Sequence, residues 1–240
     1  MFILPTYKRA GRLAEFFVAA NSAGMTLPGI VVVQGADQKQ EYEEAISGVM
    51  PKNWTIAVSQ TNVGMVAATN WILEHRPQEE WYAMVGDDML PSTEGFDVKM
   101  LSLTTPWSIT SCMDNSKDVG WRTAGCMMWG GELVRTVGFL LPPVTWHICG
   151  DDWWQLVGKA FSIWNVAADV RINTKSAIFA GGEWDETQKT GYARFQDDMQ
   201  KYHRWLADQG GEVMERLRVV MQANGVLSNT AKPRFMVSHA

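Results

Sequence analysis

The order of short apolar runs and amphipathic segments over the first half of the chain is the feature that most restricts its fold. Residues 2–4, 29–33, 55–58 and 81–85 form four short apolar runs bounded by polar or turn residues, which is typical of buried strands. The segments between them carry apolar residues at helical spacing. This order predicts an α/β, Rossmann-like fold: a three-layer α/β/α sandwich with a mostly parallel central sheet.

The second half of the sequence is less regular. We expect strands at 107–111, 124–128 and 166–172, and helices at 132–137, 153–163, 194–208 and 212–222. No repeat, low-complexity segment or linker interrupts the chain. Residues 1–240 are therefore predicted to form a single domain.

Composition excludes several classes of protein. The formal charge of −5 argues against a protein that coats nucleic acid by bulk charge, and 46% hydrophobic residues exclude a disordered chain. Three cysteines, an odd number without zinc-site spacing, predict a reduced intracellular protein. No apolar run approaches the roughly 20 residues that cross a bilayer, so we predict a cytoplasmic protein without a membrane span.

Two acidic residues follow the fourth predicted strand. Ligands bind beyond the carboxyl ends of parallel strands, which makes Asp87 and Asp88 candidates for a ligand site. Adjacent carboxylates need a cation or hydrogen bonds to balance them, and Mg²⁺ or Mn²⁺ often binds through one or two carboxylates plus phosphates. The alternatives are a solvated turn and the Gly-Asp-Asp metal site of RNA polymerases, which require a much longer chain.

A second acidic pair opens the helix predicted at 153–163. Asp151 and Asp152 could simply cap that helix, because carboxylates are favoured at helix N-termini. A carboxylate that faces a pocket could instead act as a general base. Trp153 and Trp154, two of the chain's 12 tryptophans, would supply flat faces for a sugar or base, although a single tryptophan is more often part of the core.

Six short motifs follow one another through roughly residues 1–205. They are Pro5-Thr6-Tyr7-Lys8-Arg9, Val33-Gln34-Gly35-Ala36-Asp37, Asn62-x-Gly64-x-x-x-Ala68-x-Asn70, Gly86-Asp87-Asp88, residues 130–139 and residues 150–156. Their order and separation resemble those of nucleotide-sugar glycosyltransferases of the GT-A fold, in the large inverting family that includes cellulose and chitin synthases. The resemblance implies transfer of a sugar from a nucleoside diphosphate sugar, UDP-sugar above all, to a hydroxyl group with inversion.

The resemblance also implies a division of the chain and roles for its residues. Residues 1–100 would bind the nucleotide sugar, residues 101–210 would bind the acceptor, and residues 211–240 would form a C-terminal helix and tail. Asp152 would be the general base, Asp151 would contact the acceptor, and Asp88 would hold Mn²⁺ or Mg²⁺. The nucleotide sugar would contact Pro5, Thr6, Arg9, Asp37, Asn62, Gly64 and Asp87, and the acceptor would contact Trp129, Trp153 and Trp154.

Two positions depart from the pattern of that family. Gly86 stands where the metal-binding D-x-D begins, and residues 172–175 lack the family's histidine. Lys175 or His147 could take over the contact with diphosphate.

The acceptor is the least determined partner. A Trp-rich chain without spans resembles bacteriophage transferases that act on hydroxymethylated pyrimidines in DNA. Polysaccharide, lipid or protein acceptors are the alternatives, as is a non-catalytic nucleotide- or sugar-binding protein of the same fold. The sequence does not indicate an oligomeric state. Cationic side chains for a DNA backbone are available near the C-terminus at Arg204, Arg216, Arg218, Lys232 and Arg234.

Overall fold

One twisted sheet organises the computed structural model, which describes residues 1–114, 126–175 and 184–228. Within these ranges eight strands form a single sheet in the order β3-β2-β1-β4-β7-β6-β8-β5. The strands are β1 (Phe2–Thr6), β2 (Gly29–Gln34), β3 (Trp54–Ser59), β4 (Trp81–Met84), β5 (Met89–Pro91), β6 (Ile109–Asp114), β7 (Met127–Gly130) and β8 (Trp164–Thr174).

The first four strands form the parallel half of the sheet, as the sequence predicts. β1 lies between β2 and β4 and is parallel to both, and β2 is parallel to β3. Parallel neighbours need a crossover, and helices supply it. The helices are α1 (Ala10–Ser22), α2 (Lys39–Ala45), α3 (Met65–His75), α4 (Phe96–Ser102), α5 (Gly131–Val137), α6 (Gly150–Phe161), α7 (Glu186–Ala193), α8 (Phe195–Trp205) and α9 (Gly211–Ala223).

The second half of the chain extends the same sheet with mixed strand directions. β7 runs antiparallel between β4 and β6, whereas β6 and β8 are parallel. The short strand β5 pairs antiparallel with β8 at the far edge. The predicted α/β fold with a mostly parallel sheet is confirmed, although β5, α4 and α7 were not predicted. Three-residue strands carry too little periodicity to be recognised from sequence.

Helices cover both faces of the sheet and create two apolar cores. Side chains alternate along β1, so that Ile3 enters one core while Phe2 and Leu4 enter the other. The core that contains Ile3 also contains the buried faces of α3, α5, α6, α8 and α9. The opposite core contains those of α1, α2 and α4. In α1 the side chains of four residues are buried at the positions that the sequence predicts: Leu13, Phe16, Phe17 and Ala20.

The indoles that we expected to bind an acceptor lie inside the first of these cores. Trp129, Trp153 and Trp154 are fully buried, and the rings of Trp129 and Trp154 pack with centroids 5.6 Å apart. The prediction that they present faces to an acceptor is therefore wrong. Burial of so much apolar area drives these rings into the interior, where they stabilise the packing of α6 on the sheet.

The part of the chain that the structure describes contains no helix that combines the length and apolar character needed to cross a bilayer.

We expect the core role of Trp153 to dominate its substitution. Trp153→Ala should lower the free energy of unfolding by about 3–5 kcal/mol because it leaves a large cavity beneath α6. Urea denaturation would measure the loss. Val219→Ala on α9, where the side chain is half exposed, should change stability by less than about 0.5 kcal/mol. Equal losses for the two variants would contradict the packing described here.

Candidate active site

A cavity of about 320 Å³ opens at the carboxyl ends of β1, β2 and β4, the edge at which ligands bind in parallel sheets. Its walls come from three parts of the chain. The parallel half contributes the ends of its strands, the second half contributes the segment that leads into α6, and α7 covers one side. Principal lining residues are Pro5, Thr6, Arg9, Gln34, Asn62, Gly64, Asp87, Asp88, Met127, Trp146, His147, Asp151, Thr187 and Gly191.

Arg9 holds the acidic residues of the cavity together. Its Nη1 donates to Oδ1 of Asp87 at 3.0 Å and lies 3.7 Å from Oδ2 of Asp88. Nε and Nη2 donate to the two carboxylate oxygens of Asp185 at 2.8 and 2.9 Å. The arginine side chain is only 11% exposed, so its pair with the buried Asp87 is largely desolvated, whereas the side chain of Asp185 is 38% exposed.

The cluster around Arg9 carries more negative than positive charge. Three carboxylates face one guanidinium, which leaves a formal excess of two negative charges. Burial raises the pKa of Asp87 to about 6 against the opposing effect of Arg9, and burial also raises the pKa of Asp88. Burial also acts to raise the pKa of Asp185, but the hydrogen bonds from Arg9 and from the N–H of Gln188, together with the charges of Arg9 and Arg12, outweigh it and hold that pKa below its usual value. A further cation would be stabilised beside Asp87 and Asp88.

Thr6 and Tyr42 fix the orientation of the buried Asp87. The Thr6 hydroxyl donates to Oδ2 of Asp87 at 2.6 Å and also lies 2.9 Å from the Tyr42 hydroxyl. The Tyr42 oxygen accepts from the backbone N–H of Arg9 at 2.8 Å. Asp87 is thus a structural anchor, whereas Asp88, with a side chain 16% exposed, also lines the cavity and has the more accessible carboxylate.

The Asn62–Gly64 turn forms the wall next to β3. The side-chain oxygen of Asn62 accepts from the N–H of Gly64 at 3.0 Å. Gly64 has φ +86° at the start of α3, and a Cβ there would come within 2.6 Å of the Trp146 ring. The guanidinium of Arg194 lies over the same ring, 4.3 Å from its centroid. Glycine is required here because the indole packs directly on its backbone.

Buried polar side chains hold the segment that leads into α6. Asp198, almost fully buried, accepts backbone N–H groups of Trp146, His147 and Ile148. The amide of Asn70, the last residue of the Asn62 motif, bonds to the backbone of Leu140 and Leu141. Both residues are structural supports that keep this wall in place.

The two acidic residues at the start of α6 differ in their position relative to the cavity. Asp151 lines the cavity, whereas Asp152 does not. Consecutive helical residues point about 100° apart, so the two side chains leave α6 in different directions. The roles that the resemblance implies, Asp152 as general base and Asp151 as the contact with the acceptor, stay predictions, and the lining of the cavity favours Asp151 as the carboxylate nearer to a ligand.

At the end of β2, the residue that lines the cavity is Gln34 and not the expected Asp37. Asp37 is exposed in the turn after the strand and does not line the cavity. Gln34, the last residue of β2, lines it and is buried, and its Oε1 has no hydrogen-bond partner within the described ranges. Sequence reasoning missed Gln34, although its place at a strand end was a usable signal.

Positively charged and imidazole groups expected near diphosphate are placed as follows. Lys175 forms an exposed ion pair with Glu15 at 2.9 Å and does not line the cavity. His147 does line it, and burial followed by the charge of Arg9 lowers its pKa. The described ranges contain no group of three or more His, Cys, Asp or Glu side chains able to hold a metal by themselves.

The basic residues proposed for a DNA backbone are partly used within the protein. Arg216 donates to the carbonyl oxygen of Val137, and Arg218 pairs with Glu215. Arg204 is exposed on α8. Lys232 and Arg234 lie outside the described residues.

Comparisons with known proteins identify the fold. No protein-family model and no curated protein sequence matches the chain. Residues 1–349 of S. aureus TarS superpose with TM-score 0.54 and 13% identity over 95% of this chain and 75% of that one. Glucosyl-3-phosphoglycerate synthase from Mycobacterium tuberculosis, solved with Mn²⁺, UDP and glucosyl-3-phosphoglycerate, gives 0.54 and 11% over 82% and 78%.

A third solved structure belongs to a different activity class. It is 4-diphosphocytidyl-2C-methyl-D-erythritol synthase from Anaerococcus prevotii, with TM-score 0.51 and 11% identity over 81% of this chain and 95% of that one. The chain therefore has the GT-A, Rossmann-like fold, which glycosyltransferases and nucleotidyltransferases share.

Contact between Gly64 and Trp146 can be tested by comparing two glycines. Gly64→Ala should lower the free energy of unfolding by about 1–3 kcal/mol more than Gly48→Ala. Both glycines have positive φ, but nothing lies within 4 Å of a Cβ at Gly48, so that variant reports backbone strain without the steric clash. Denaturant unfolding would measure both, and equal losses would show that Trp146 does not pack on Gly64.

Proposed function

We propose that this protein is a glycosyltransferase that moves a sugar from a nucleoside diphosphate sugar to a hydroxyl acceptor. The observation that carries the proposal is the placement of Asp88 and Asp151 on the walls of one cavity, together with the polar ends of β1 and β2. A carboxylate beside a cation site and a second carboxylate on another wall match the two tasks of the reaction. One stabilises the leaving diphosphate and the other accepts a proton.

The nucleoside would lie at the ends of β1, β2 and β3. Pro5 and Thr6 line that side of the cavity, as do Asn62 and Gly64. Gln34 offers an amide whose oxygen needs a donor, and the N–H groups on the edge of a pyrimidine base can supply one. We assign the contact with the base to Gln34 in place of Asp37.

A divalent cation fits the residues around Asp88. Excess negative charge and raised pKa values at Asp87 and Asp88 are what a carboxylate pair shows before its cation binds. Mg²⁺ is commonly held by one or two carboxylates plus substrate phosphates, so the lack of a three-residue cluster in the described ranges is compatible with it. Asp88 would hold Mn²⁺ or Mg²⁺, and the bound ion would neutralise charge on the leaving diphosphate.

Asp151 is the residue that we assign as general base. It lies in the first turn of α6 and lines the cavity. An acceptor hydroxyl beside Asp151 would give up its proton as its oxygen attacks the anomeric carbon and the bond to diphosphate breaks. A single displacement with a single base inverts the anomeric centre.

Several classes of acceptor fit the proposal. Hydroxymethylpyrimidine in DNA loses two supports, because the three indoles are buried and Arg216 and Arg218 are paired within the protein. We retain it as one acceptor to be tried beside saccharide, lipid and peptide hydroxyls. The single-domain organisation stays a prediction.

A nucleotidyltransferase is the second candidate, because the synthase from A. prevotii has the same fold over most of its length. The two reactions differ in what they consume. A glycosyltransferase releases nucleoside diphosphate from a nucleotide sugar, whereas a nucleotidyltransferase releases pyrophosphate from a nucleoside triphosphate. Mass spectrometry of purified protein incubated with both donor classes, with and without acceptor pools, would separate them.

Asp151→Asn should lower kcat of sugar transfer by about 10²–10⁴-fold, because a general base typically contributes that much. Asp152→Asn should change kcat by less than about tenfold, since Asp152 does not line the cavity. Steady-state rates with a saturating nucleotide sugar would measure both. The opposite ranking of the two variants would restore Asp152 as the base.

Gln34→Leu should weaken binding of UDP about tenfold, the loss expected for one hydrogen bond of about 1.4 kcal/mol. Its thermal stability should not fall, because the substitution removes a buried oxygen without a partner in the described ranges. Asp37→Asn should leave the affinity within about twofold. Isothermal titration with UDP would measure both, and a larger loss in Asp37→Asn would contradict the assignment.

A further inference from the structure

Asp185 is bound to Arg9 by two parallel hydrogen bonds across a separation of 176 residues. Oδ2 accepts from Nε at 2.8 Å and Oδ1 accepts from Nη2 at 2.9 Å. The same carboxylate caps α7 by accepting from the N–H of Gln188, whose side chain bonds back to Asp185. A bidentate pair of this kind fixes the plane of a guanidinium as well as its position.

With Nε and Nη2 bonded to Asp185, Nη1 is the nitrogen of Arg9 that faces the other two carboxylates. Nη1 donates to Asp87 at 3.0 Å, but it stands 3.7 Å from Asp88, close enough for an ion pair and too far for a hydrogen bond. Arg9 therefore compensates the buried Asp87, while Asp88 retains most of its capacity to bind another cation.

Without Asp185 the guanidinium could turn about its own side chain. Two more N–H groups would then seek acceptors, and the nearest carboxylate besides Asp87 is Asp88. A guanidinium bonded to Asp88 would use its lone pairs and repel a divalent cation at short range.

We propose that Asp185 is a positioning residue: by holding Arg9 on Asp87, it keeps Asp88 accessible to a divalent cation. The proposal rests on the proposed function, in which Asp88 holds that cation. Asp185 acts through Arg9 and needs no contact with the ion or the substrate.

Two further contacts keep α7 in place independently of Asp185. The Thr187 hydroxyl donates to the carbonyl oxygen of Tyr7 at 2.7 Å, and Lys8 pairs with Glu186 at 2.8 Å. The pair with Glu186 is exposed and contributes little. Asparagine is as good a helix cap as aspartate. Asp185→Asn is therefore expected to keep α7 docked while it loses the bidentate bond, because an amide has one acceptor oxygen and two N–H groups that face the guanidinium.

Binding of Mn²⁺ to the 240-residue chain without nucleotide provides the test. The electron paramagnetic resonance signal of free Mn²⁺ would give the affinity of each variant, and thermal unfolding would confirm that each is folded. We expect Asp185→Asn to weaken Mn²⁺ binding about tenfold. Glu186→Gln, which removes the same charge one residue away, should stay within about twofold. Unchanged affinity in Asp185→Asn, or an equal loss in Glu186→Gln, would overturn the proposal.

Two more variants distinguish the proposal from two alternatives: that Asp88 does not hold the cation, and that Asp185 binds the cation directly. Asp88→Asn should abolish most Mn²⁺ binding; if it does not, the metal role of Asp88 in the proposed function fails as well. In an Arg9→Gln background, Asp185→Asn should have no further effect, because the group that it positions is gone. An undiminished effect in that background would show that Asp185 binds the ion itself, which would contradict a positioning role.

Discussion

The interaction between Arg9 and its three carboxylates is the constraint on which the site depends. It joins the turn after β1, the end of β4 and the start of α7, segments that are far apart in the chain. A buried guanidinium without partners would be costly, so the three segments are stabilised only when they meet. The same contact defines one wall of the cavity. The contacts that stabilise this part of the fold therefore also build one wall of the candidate site.

The opposite wall depends on a different kind of contact. Asp198 and Asn70 bind backbone groups of the segment between α5 and α6, and Trp146 packs between Gly64 and Arg194. Hydrogen bonds to backbone fix the path of a loop without depending on its side chains. Because this segment leads into α6, the same hydrogen bonds also fix the position of Asp151 at the start of that helix. The site thus combines a charged wall with a wall held by neutral and charge-assisted hydrogen bonds.

The sequence predicts the frame of the protein better than its site. Four apolar runs and the spacing of Leu13, Phe16 and Phe17 locate the parallel strands and α1 because their periodicity is local information. The choice between Asp151 and Asp152 depends instead on how α6 rotates as it packs. The burial of the indoles depends on tertiary packing in the same way, because residues of neighbouring helices surround Trp153 in the core. Periodicity alone does not contain those contacts.

The candidate site also departs from what stability alone would favour. Asp198 shows how this chain satisfies a buried carboxylate, with three backbone N–H groups that donate to its oxygens. Asp87 and Asp88 share one arginine with Asp185 and have raised pKa values, and Gln34 buries an oxygen without a partner in the described ranges. Each feature costs free energy unless a ligand compensates it, and Gln34, Asp87 and Asp88 all line one cavity. A ligand that brings a cation and N–H donors would remove these costs together, which is why donor and cation are expected to bind cooperatively.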